Sequence, residues 1–306
     1  MRCDRFRRAW ALGLLALAAG FPGVLSGGCR GAPPTFRIGY MICNSLQETR
    51  ERFQPLTAYL SRATGARFEA VYLDTVDVED ALRRGDLEFT HTNSLLYVVF
   101  RERYGVRPVA ADKRGAFGVR TRGTIIARKD SGIRSLEDLR GKRFAFGPQW
   151  APFGFLAQYA LLLEAGIDPE TDLGYYAIPR GSWKHEKVIY AVLYGAFDAG
   201  AAPLIDLEEM AAEGRISPDD FVVLARSDLA PYCTVAAVPR VPQEWVDRVR
   251  RALLDLAPGT TAEVDGERVR VLSRARISGF SPVTDAAYDP IRRWARAARM
   301  PPYETY

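Results

Sequence analysis

The chain has 306 residues, of which 42 are Lys or Arg and 37 are Asp or Glu, so its formal charge is +5. Part of this excess lies in the first eight residues, where four Arg accompany one Asp. Nucleic-acid binding calls for a concentrated basic patch, so the overall charge gives no argument for it and we expect no nucleic-acid partner. The length provides for two modest domains with proper cores.

An export signal is predicted at the start of the chain. The four Arg are followed by an uncharged apolar run at 10–19 and by small residues from Ser26 to Gly28. This order is typical of a secretory signal peptide, which we expect to span residues 1–28. The apolar run is too short to cross a bilayer, which takes roughly 20 apolar residues. Without residues 1–28 the balance is 38 basic against 36 acidic residues, or +2.

Cys29 stands where a bacterial lipoprotein carries its lipid-modified cysteine. Ser26 holds the place where such signals have an aliphatic residue, so ordinary cleavage near Gly28 stays an alternative. With lipidation, residues 29–35 form a short tether, and the protein is a periplasmic or outer-surface lipoprotein anchored to the membrane. Cys43 and Cys233 then remain in an oxidising compartment, either as a disulfide or as two buried free thiols.

Strand-like and helix-like segments alternate along the chain, which indicates an α/β fold with mostly parallel sheets. In the first part we predict strands at 36–42, 67–73, 87–90, 107–111 and 123–128, and helices at 51–64, 76–84 and 94–103. In the second part we predict strands at 143–146, 175–178, 196–200, 221–225 and 234–238, and helices at 155–165, 186–194, 243–256 and 285–298. Ser135 is expected to cap a short helical turn. Residues 258–281 show no readable pattern.

Four segments in fixed order carry a family resemblance: FRIGY, GDLEFTHTNSLLY, GTIIARKDSGIRSLEDLRGKRFAFG and RGSWKHEKVIYAVLYGAFDAGAA. The chain resembles the phosphate, phosphite and phosphonate substrate-binding proteins of ABC transporters over roughly residues 36–256. The resemblance implies the two-lobed type 2 periplasmic-binding-protein fold, in which each lobe is a mixed, mostly parallel sheet flanked by helices. It places lobe one at 36–123 plus 234–306 and lobe two at 124–233. Two crossing hinge strands are implied near 123–128 and 232–238.

The resemblance also implies a function. The protein would be a monomeric solute-binding component of an ABC uptake system, without a cofactor and without enzymatic activity. Its lobes would close on a small anionic solute, phosphonate-like or phosphate-like, or on a related organic solute, and deliver it to a permease in the cytoplasmic membrane. His185 falls where the family has a histidine at the cleft, and Asp198 where it has an acidic residue near the ligand.

One segment departs from the family pattern. Where phosphonate binders have a Ser/Thr-rich loop, this chain has PQWAPFG at 148–154, without a hydroxyl. An oxyanion calls for charge-assisted donors of the kind such a loop provides. Gln149, Trp150, Phe153 and the backbone at Gly154 take its place as ligand contacts, and the two aromatic rings suit a flat or cationic organic group.

The two histidines of the chain, His91 and His185, both lie where a predicted strand gives way to a helix. Ligands of α/β proteins bind at the carboxyl ends of strands, so this position indicates a binding site. The same reasoning adds further polar candidates: Tyr40, Asn44, Thr90, Thr92, Asn93, Ser94 and Ser182. Ser94 as a plain helix cap, Asp198 as a turn residue and both histidines as surface-loop residues stay alternatives.

Three other functions compete with solute capture. Two imidazoles and a carboxylate can bind a metal ion, so His91, His185 and Asp198 define a metal-capturing alternative. A ligand-sensing partner of a membrane receptor would use the same fold. An enzyme is disfavoured because the sequence has no nucleophile elbow, metal-hydrolase signature or phosphate-binding P-loop.

Overall fold

The computed structural model describes residues 32–179 and 185–304. The predicted signal peptide, Cys29 and Ser182 lie outside these ranges. Within them, no helix has both the length and the apolarity to cross a membrane.

The strands follow the predicted order, with shifts of a few residues. They are β1 (Thr35–Met41), β2 (Arg67–Leu73), β3 (Phe89–Asn93), β4 (Arg107–Lys113), β5 (Arg120–Thr121), β6 (Gly123–Arg128), β7 (Arg143–Ala145), β8 (Tyr175–Ala177), β9 (Ala199–Pro203), β10 (Phe221–Arg226), β11 (Ala230–Pro231), β12 (Cys233–Ala237), β13 (Thr261–Val264), β14 (Glu267–Arg270) and β15 (Gly279–Ser281).

The helices cover the faces of the sheets. They are α1 (Leu46–Thr64), α2 (Thr75–Arg84), α3 (Ser94–Tyr104), α4 (Ala157–Glu164), α5 (Glu186–Leu193), α6 (Leu204–Ala212), α7 (Gln243–Leu254), α8 (Val271–Ala275) and α9 (Asp289–Ala297). One turn of π-helix, Pro152–Leu156, leads into α4.

Two sheets form the centres of the two lobes. The first has the order β15-β4-β12-β3-β1-β2, and the second has the order β10-β6-β9-β7-β8. In the first sheet β1, β2, β3 and β4 run in one direction, against β12 and β15. In the second sheet only β6 runs against the others. The prediction of an α/β fold with mixed sheets is therefore confirmed, and four of the nine strand pairs in the two sheets are parallel. We use lobe one for residues 36–123 plus 234–306 and lobe two for residues 124–233, as predicted.

The chain crosses between the sheets in both directions at one place. Between β4 and β6, and between β10 and β12, it forms the short strands β5 and β11, which pair with each other. The ranges 123–128 and 232–238, expected as hinge strands, fall mostly on β6 and β12 inside the sheets. At the start of β6 a Cβ on Gly123 would lie 2.7 Å from Nε2 of the buried Gln158. Close packing at the crossing therefore calls for glycine there.

The structure differs from the sequence analysis in local structure at four places. Helix α1 begins earlier, because Ser45 accepts a hydrogen bond from the N–H of Glu48 and caps it. The 3₁₀ turn at Glu137–Leu139 is not capped by the Ser135 side chain; the Ser135 N–H instead donates to Asp138. Residues 258–281, which looked unreadable, form the β13–β14 hairpin, α8 and β15. Helix α6 was not predicted, and its appearance changes the candidate site.

Candidate functional site

A cavity of about 620 Å³ lies between the two sheets. The first sheet and its connections contribute Met41, Cys43, Asn44, Arg52, Phe53, His91, Thr92, Asn93, Asp112, Arg114, Tyr232, Cys233 and Arg276. The second sheet and its connections contribute Ala151, Pro152, Phe153, His185, Glu186, Asp206, Glu209, Met210, Glu213 and Arg215. Most of these residues follow the carboxyl ends of strands, which is where open α/β sheets bind ligands.

His91 is held in place by an acidic partner. Its Nε2 lies 3.0 Å from both carboxylate oxygens of Asp112, and both side chains are buried. The imidazole also packs against the Phe53 ring, with 4.7 Å between centroids. These contacts fix the ring at the wall of the cavity.

His185 directly precedes α5 and lies against two glycines. A Cβ on Gly154 would come within 2.2 Å of its Cε1, and one on Gly147 within 2.8 Å of its Nδ1. Nδ1 is buried and has no hydrogen-bond partner among the described residues. Burial lowers the pKa of His185 to about 4, so the imidazole is neutral at neutral pH. An unpaired buried nitrogen is costly, and this one faces the backbone of Gly147 and Gly154.

The end of β3 provides a hydroxyl and an amide. The Thr92 hydroxyl is buried without a partner in the described part of the chain, and Thr92 lines the cavity. Asn93 accepts from the N–H of Leu96 and donates through Nδ2 to the carbonyl of Trp150, which joins the two lobes. Asn93, rather than Ser94, therefore caps α3. Ser94 and Thr90 are buried but do not line the cavity.

Two arginines supply positive charge to the wall formed by the first sheet. Arg114 follows β4 and lies 4.8 Å from the ring centroid of Tyr232, and its Nε has no partner among the described residues. Arg52 lies over the ring of Phe53 at 4.9 Å and donates to the carbonyl of Ala275. The guanidinium of Arg114 is thus available for a ligand.

The opposite wall is acidic, because α6 presents Asp206 and Glu209 to the cavity. Oδ2 of Asp206 is buried without a partner in the described ranges, and burial raises the pKa of this carboxyl to about 6. Burial also raises the pKa of Glu209. An anionic ligand must therefore be accommodated beside these carboxyl groups.

The remaining charges at the cavity are largely paired. Arg215 donates to the carboxylates of Glu186 and Glu213. Arg276 donates to Glu48 at 2.8 Å. These pairs cancel locally, so the charges that a ligand encounters are those of Arg52, Arg114, Asp112, Asp206 and Glu209.

These findings match one known family. The model of the family described as ABC transporter, phosphonate, periplasmic substrate-binding protein matches residues 38–288. The chain belongs to this phosphonate-binding family. Members are substrate-binding transport proteins of the periplasm. The predicted family is therefore established, and so is the exported location of its members.

Curated relatives include a sensor and an importer. The chain is 29% identical over 262 residues to the tetrathionate sensor histidine kinase of Salmonella typhimurium, covering 78% of this chain and 44% of that protein. It thus spans less than half of the sensor. It is 25% identical over 303 residues to the phosphate-import protein PhnD of Mycolicibacterium smegmatis, covering 91% and 94% of the two chains.

Solved structures confirm the two-lobed fold. PhnD1 from Prochlorococcus marinus, solved in complex with methylphosphonate, superposes with a TM-score of 0.67 at 18% identity. The match covers 86% of this chain and 98% of PhnD1. At this level of identity the likeness shows a shared fold.

The loop at 148–154, where this phosphonate-binding family member lacks hydroxyls, contributes less than expected. Gln149 is exposed and does not line the cavity, and Trp150 packs against the core. Phe153 does line the cavity, where its ring stacks on Tyr232 with 6.1 Å between centroids. Gly154 lies against the imidazole of His185 and, because it has no side chain, leaves room for that ring. The sequence-based expectation of a two-ring aromatic site was therefore wrong, because the Trp150 side chain does not reach the cavity.

Two further candidates lie elsewhere. Tyr40 is fully buried and its hydroxyl bonds Thr57 at 2.9 Å, so it belongs to the core of lobe one. Asp198 lies just before β9 and receives hydrogen bonds from the backbone N–H and guanidinium of Arg143. It was expected near the ligand from the family resemblance, which places an acidic residue there. Its carboxylate lies at the amino end of β9, away from the cavity. Asn44 does line the cavity.

Because Asp198 lies at the amino end of β9, away from the cavity, it does not approach the two histidines. The metal site predicted from His91, His185 and Asp198 is therefore not assembled. Within residues 32–179 and 185–304, no group of three or more His, Cys, Asp or Glu side chains is arranged to hold a metal ion.

The thiols of Cys43 and Cys233 both line the cavity and are unpaired. β3 lies between β12, which Cys233 begins, and β1, which ends two residues before Cys43. Two strand spacings amount to roughly 10 Å, whereas a disulfide needs Cα atoms within about 7 Å. The geometry argues against the disulfide. Burial raises the pKa of both thiols, so they are uncharged at neutral pH.

Several cavity residues were not predicted from the sequence, and most had a usable signal. Asp112 and Arg114 directly follow the predicted strand at 107–111, so the strand-end rule applied to His91 points to them as well. Asp206 and Glu209 belong to LIDLEEMAA, in which apolar residues recur at helical spacing before Gly214. Tyr232 precedes β12 and had no comparable signal.

Proposed function

We propose that this protein captures a phosphonate or phosphate-like oxyanion in the cavity between its lobes and delivers it to an ABC permease, without catalysing a reaction. The names of two similar proteins support this ligand class, one a phosphate-import protein and the other solved with methylphosphonate. Closure of two lobes around the ligand is the motion that such a fold permits.

The observation that carries the proposal is a set of unpaired donors at one cavity. Arg114 offers a guanidinium, Thr92 a hydroxyl and His185 an imidazole N–H, each with a buried polar atom that lacks a partner in the described part of the chain. Leaving such atoms unpaired is costly, and hydrogen bonds to an anion are among the stronger ones in proteins. A tetrahedral oxyanion satisfies all three.

The start of the helix after Ala151 replaces the missing hydroxyl loop. Pro152–Leu156 and α4 form a continuous helical segment whose first residues line the cavity. N–H groups in the first turn of a helix have no partner within it and favour anions. Because Pro152 has no N–H, the donors at this end are the backbone groups of Phe153 and Gly154.

Calorimetric titration of the purified protein with methylphosphonate and with phosphate tests the proposal. We expect binding of at least one of them, with an affinity that falls when Arg114 is replaced by Met. Absence of heat and of thermal stabilisation with both ligands, in a protein shown to be folded, would refute the proposed ligand class.

A sensing role is the second candidate, because a relative with 29% identity is a sensor kinase. Transport predicts that deleting the gene abolishes uptake of radiolabelled ligand by whole cells. Unchanged uptake, together with loss of a ligand-dependent transcriptional response, would favour sensing.

We further propose that the exported protein is a monomer held at the membrane through a lipid on Cys29. The order of charged, apolar and small residues before Cys29 supports this. Replacing Cys29 by Ala should move the protein from the membrane to the soluble fraction, whereas Cys3→Ala should not. An unchanged membrane fraction with Cys29→Ala would exclude the lipid anchor.

A further inference from the structure

An anionic ligand in the cavity would lie beside the carboxyl group of Asp206, which it would repel if that group is ionised. Asp206 lies in the first turn of α6, immediately beyond the carboxyl end of β9, and lines the cavity. Its Oδ2 is buried and has no hydrogen-bond partner among the described residues. A carboxylate oxygen in this state is an acceptor without a donor, since no side chain of residues 32–179 and 185–304 supplies one.

The charged groups around Asp206 do not neutralise its carboxylate. Arg114 favours its ionised form, whereas Glu186, across on α5, disfavours it. Glu209, one turn further along α6, and Tyr232 are the other titratable groups coupled to it. Burial outweighs Arg114 and raises the pKa to about 6. At pH 7 to 8 the group is still mostly a carboxylate.

Thr92 provides independent evidence that the ligand occupies this cavity. Its side chain is only 2% exposed, it lines the cavity, and its hydroxyl has no partner in the described ranges. The cavity thus has an unpaired acceptor on α6 and an unpaired hydroxyl on β3. Because Arg114 can only donate and the Asp206 carboxylate can only accept, a ligand that satisfies both must accept hydrogen bonds and also donate one.

Phosphate-type groups meet this requirement, and sulfonates do not. The second proton of a phosphate group dissociates near pH 6, so a monoanion with a P–OH is present around neutral pH. A sulfonate is fully ionised and has no proton to donate. Beside Asp206 it would place two anions together without a shared proton, which is unfavourable in a buried site.

We propose that Asp206 determines specificity by accepting a hydrogen bond from the P–OH of a singly protonated phosphonate or phosphate, and so excludes sulfonates and other oxyanions without a proton. This inference rests on the proposed function, because it assigns the ligand class of the same cavity more narrowly.

Methylphosphonate and methanesulfonate form a matched pair of nearly identical shape. We expect the purified protein at pH 7.5 to bind methylphosphonate at least 100-fold more tightly than methanesulfonate in calorimetric titrations. Asp206→Asn retains the side-chain shape without the charge and should reduce this ratio to less than 10-fold. Asp219→Asn, the same change at a side chain that is 93% exposed and outside the cavity lining, is the control and should leave the ratio unchanged.

The pH dependence of the affinity for methanesulfonate is a second test. Binding of methanesulfonate to the unmodified protein should strengthen from pH 8 to pH 5, as Asp206 takes up a proton of its own, and the Asp206→Asn protein should lose this dependence.

Three outcomes would overturn the inference while the proposed function stands. These are equal affinity of the unmodified protein for the two ligands, an unchanged ratio in Asp206→Asn, and binding of aminoalkylphosphonates only, which would make Asp206 a partner for an ammonium group. Binding of neither phosphonates nor phosphate would instead refute the proposed function itself.

Discussion

The imidazole of His185 lies directly against the Cα of Gly154, so that a Cβ at position 154 would come within 2.2 Å of Cε1 and 2.4 Å of Nδ1. Gly154 has no positive φ, so the requirement for glycine is one of space. The loop that lacks hydroxyl groups thus has a definite part in the site: it leaves room for the imidazole of His185 at the cavity wall.

Replacing Gly154 by Ala should displace His185 and weaken ligand binding by at least 10-fold. Overpacking of this kind also destabilises a protein by roughly 1–3 kcal/mol. Titration calorimetry measures the affinity, and urea denaturation measures the free energy of unfolding. Gly259→Ala is the control, because a Cβ there meets nothing within 4 Å. Full affinity in Gly154→Ala would show that the position of His185 does not matter for binding.

Thr90 and Thr92 form a matched pair on β3. Both hydroxyls are buried without partners in the described part of the chain, but only Thr92 lines the cavity. Replacing either by Val removes an unsatisfied buried group, so each variant should be about 1 kcal/mol more stable without ligand. Only Thr92→Val should bind methylphosphonate more weakly, by roughly 10-fold. Equal affinities in the two variants would remove Thr92 from the proposed ligand contacts.

Arg114→Met should weaken binding of an oxyanion by roughly 10–100-fold, because hydrogen bonds to charged groups contribute about 1.5–3 kcal/mol. The Met side chain retains much of the apolar contact with Tyr232. Arg268→Met, at a side chain that is 72% exposed, controls for the change in net charge and should bind as the unmodified protein does. A similar loss in both variants would indicate a long-range effect of charge rather than a contact.

Stability should respond to pH in opposite ways at His185 and Asp206. The pKa of His185 is lowered to about 4, from an ordinary value near 6.5. The unfolded chain therefore binds the proton more readily, and stability is lost as pH falls from about 6.5 towards 4. The pKa of Asp206 is raised to about 6, so the folded chain binds the proton more readily and stability is lost as pH rises towards 6.

Comparing two variants separates these effects. The stability gained by His185→Gln over the unmodified protein should grow by a few kcal/mol as pH falls from 6.5 to 4. The advantage of Asp206→Asn should be greatest above pH 6 and shrink towards pH 4. Urea denaturation without ligand at several pH values measures both, and parallel curves would contradict the environments described for these two groups.

Local sequence signals predicted most of the elements but not all of their boundaries. Strand β9 was expected three residues too early, because small alanines and glycines give weak periodicity. Helix α6 was missed although its apolar residues recur at helical spacing. The family resemblance placed Asp198 near the ligand, whereas the structure has it just before the amino end of β9. Asp206 was left out of the candidate site because α6 was not predicted.

The amino-acid sequence by itself determined the alternation of strands and helices, the family, and the position of His91 and His185 where a strand gives way to a helix. These properties follow from local patterns of apolar and polar residues and from motifs in fixed order. Only the tertiary structure decided that Arg114, Thr92 and Asp206 meet at one cavity, that Trp150 does not reach it, and that β3 separates Cys43 from Cys233. Such relationships depend on the order of strands within each sheet and on the double crossing between the sheets. That order brings together residues more than 100 positions apart, for which local periodicity carries no information.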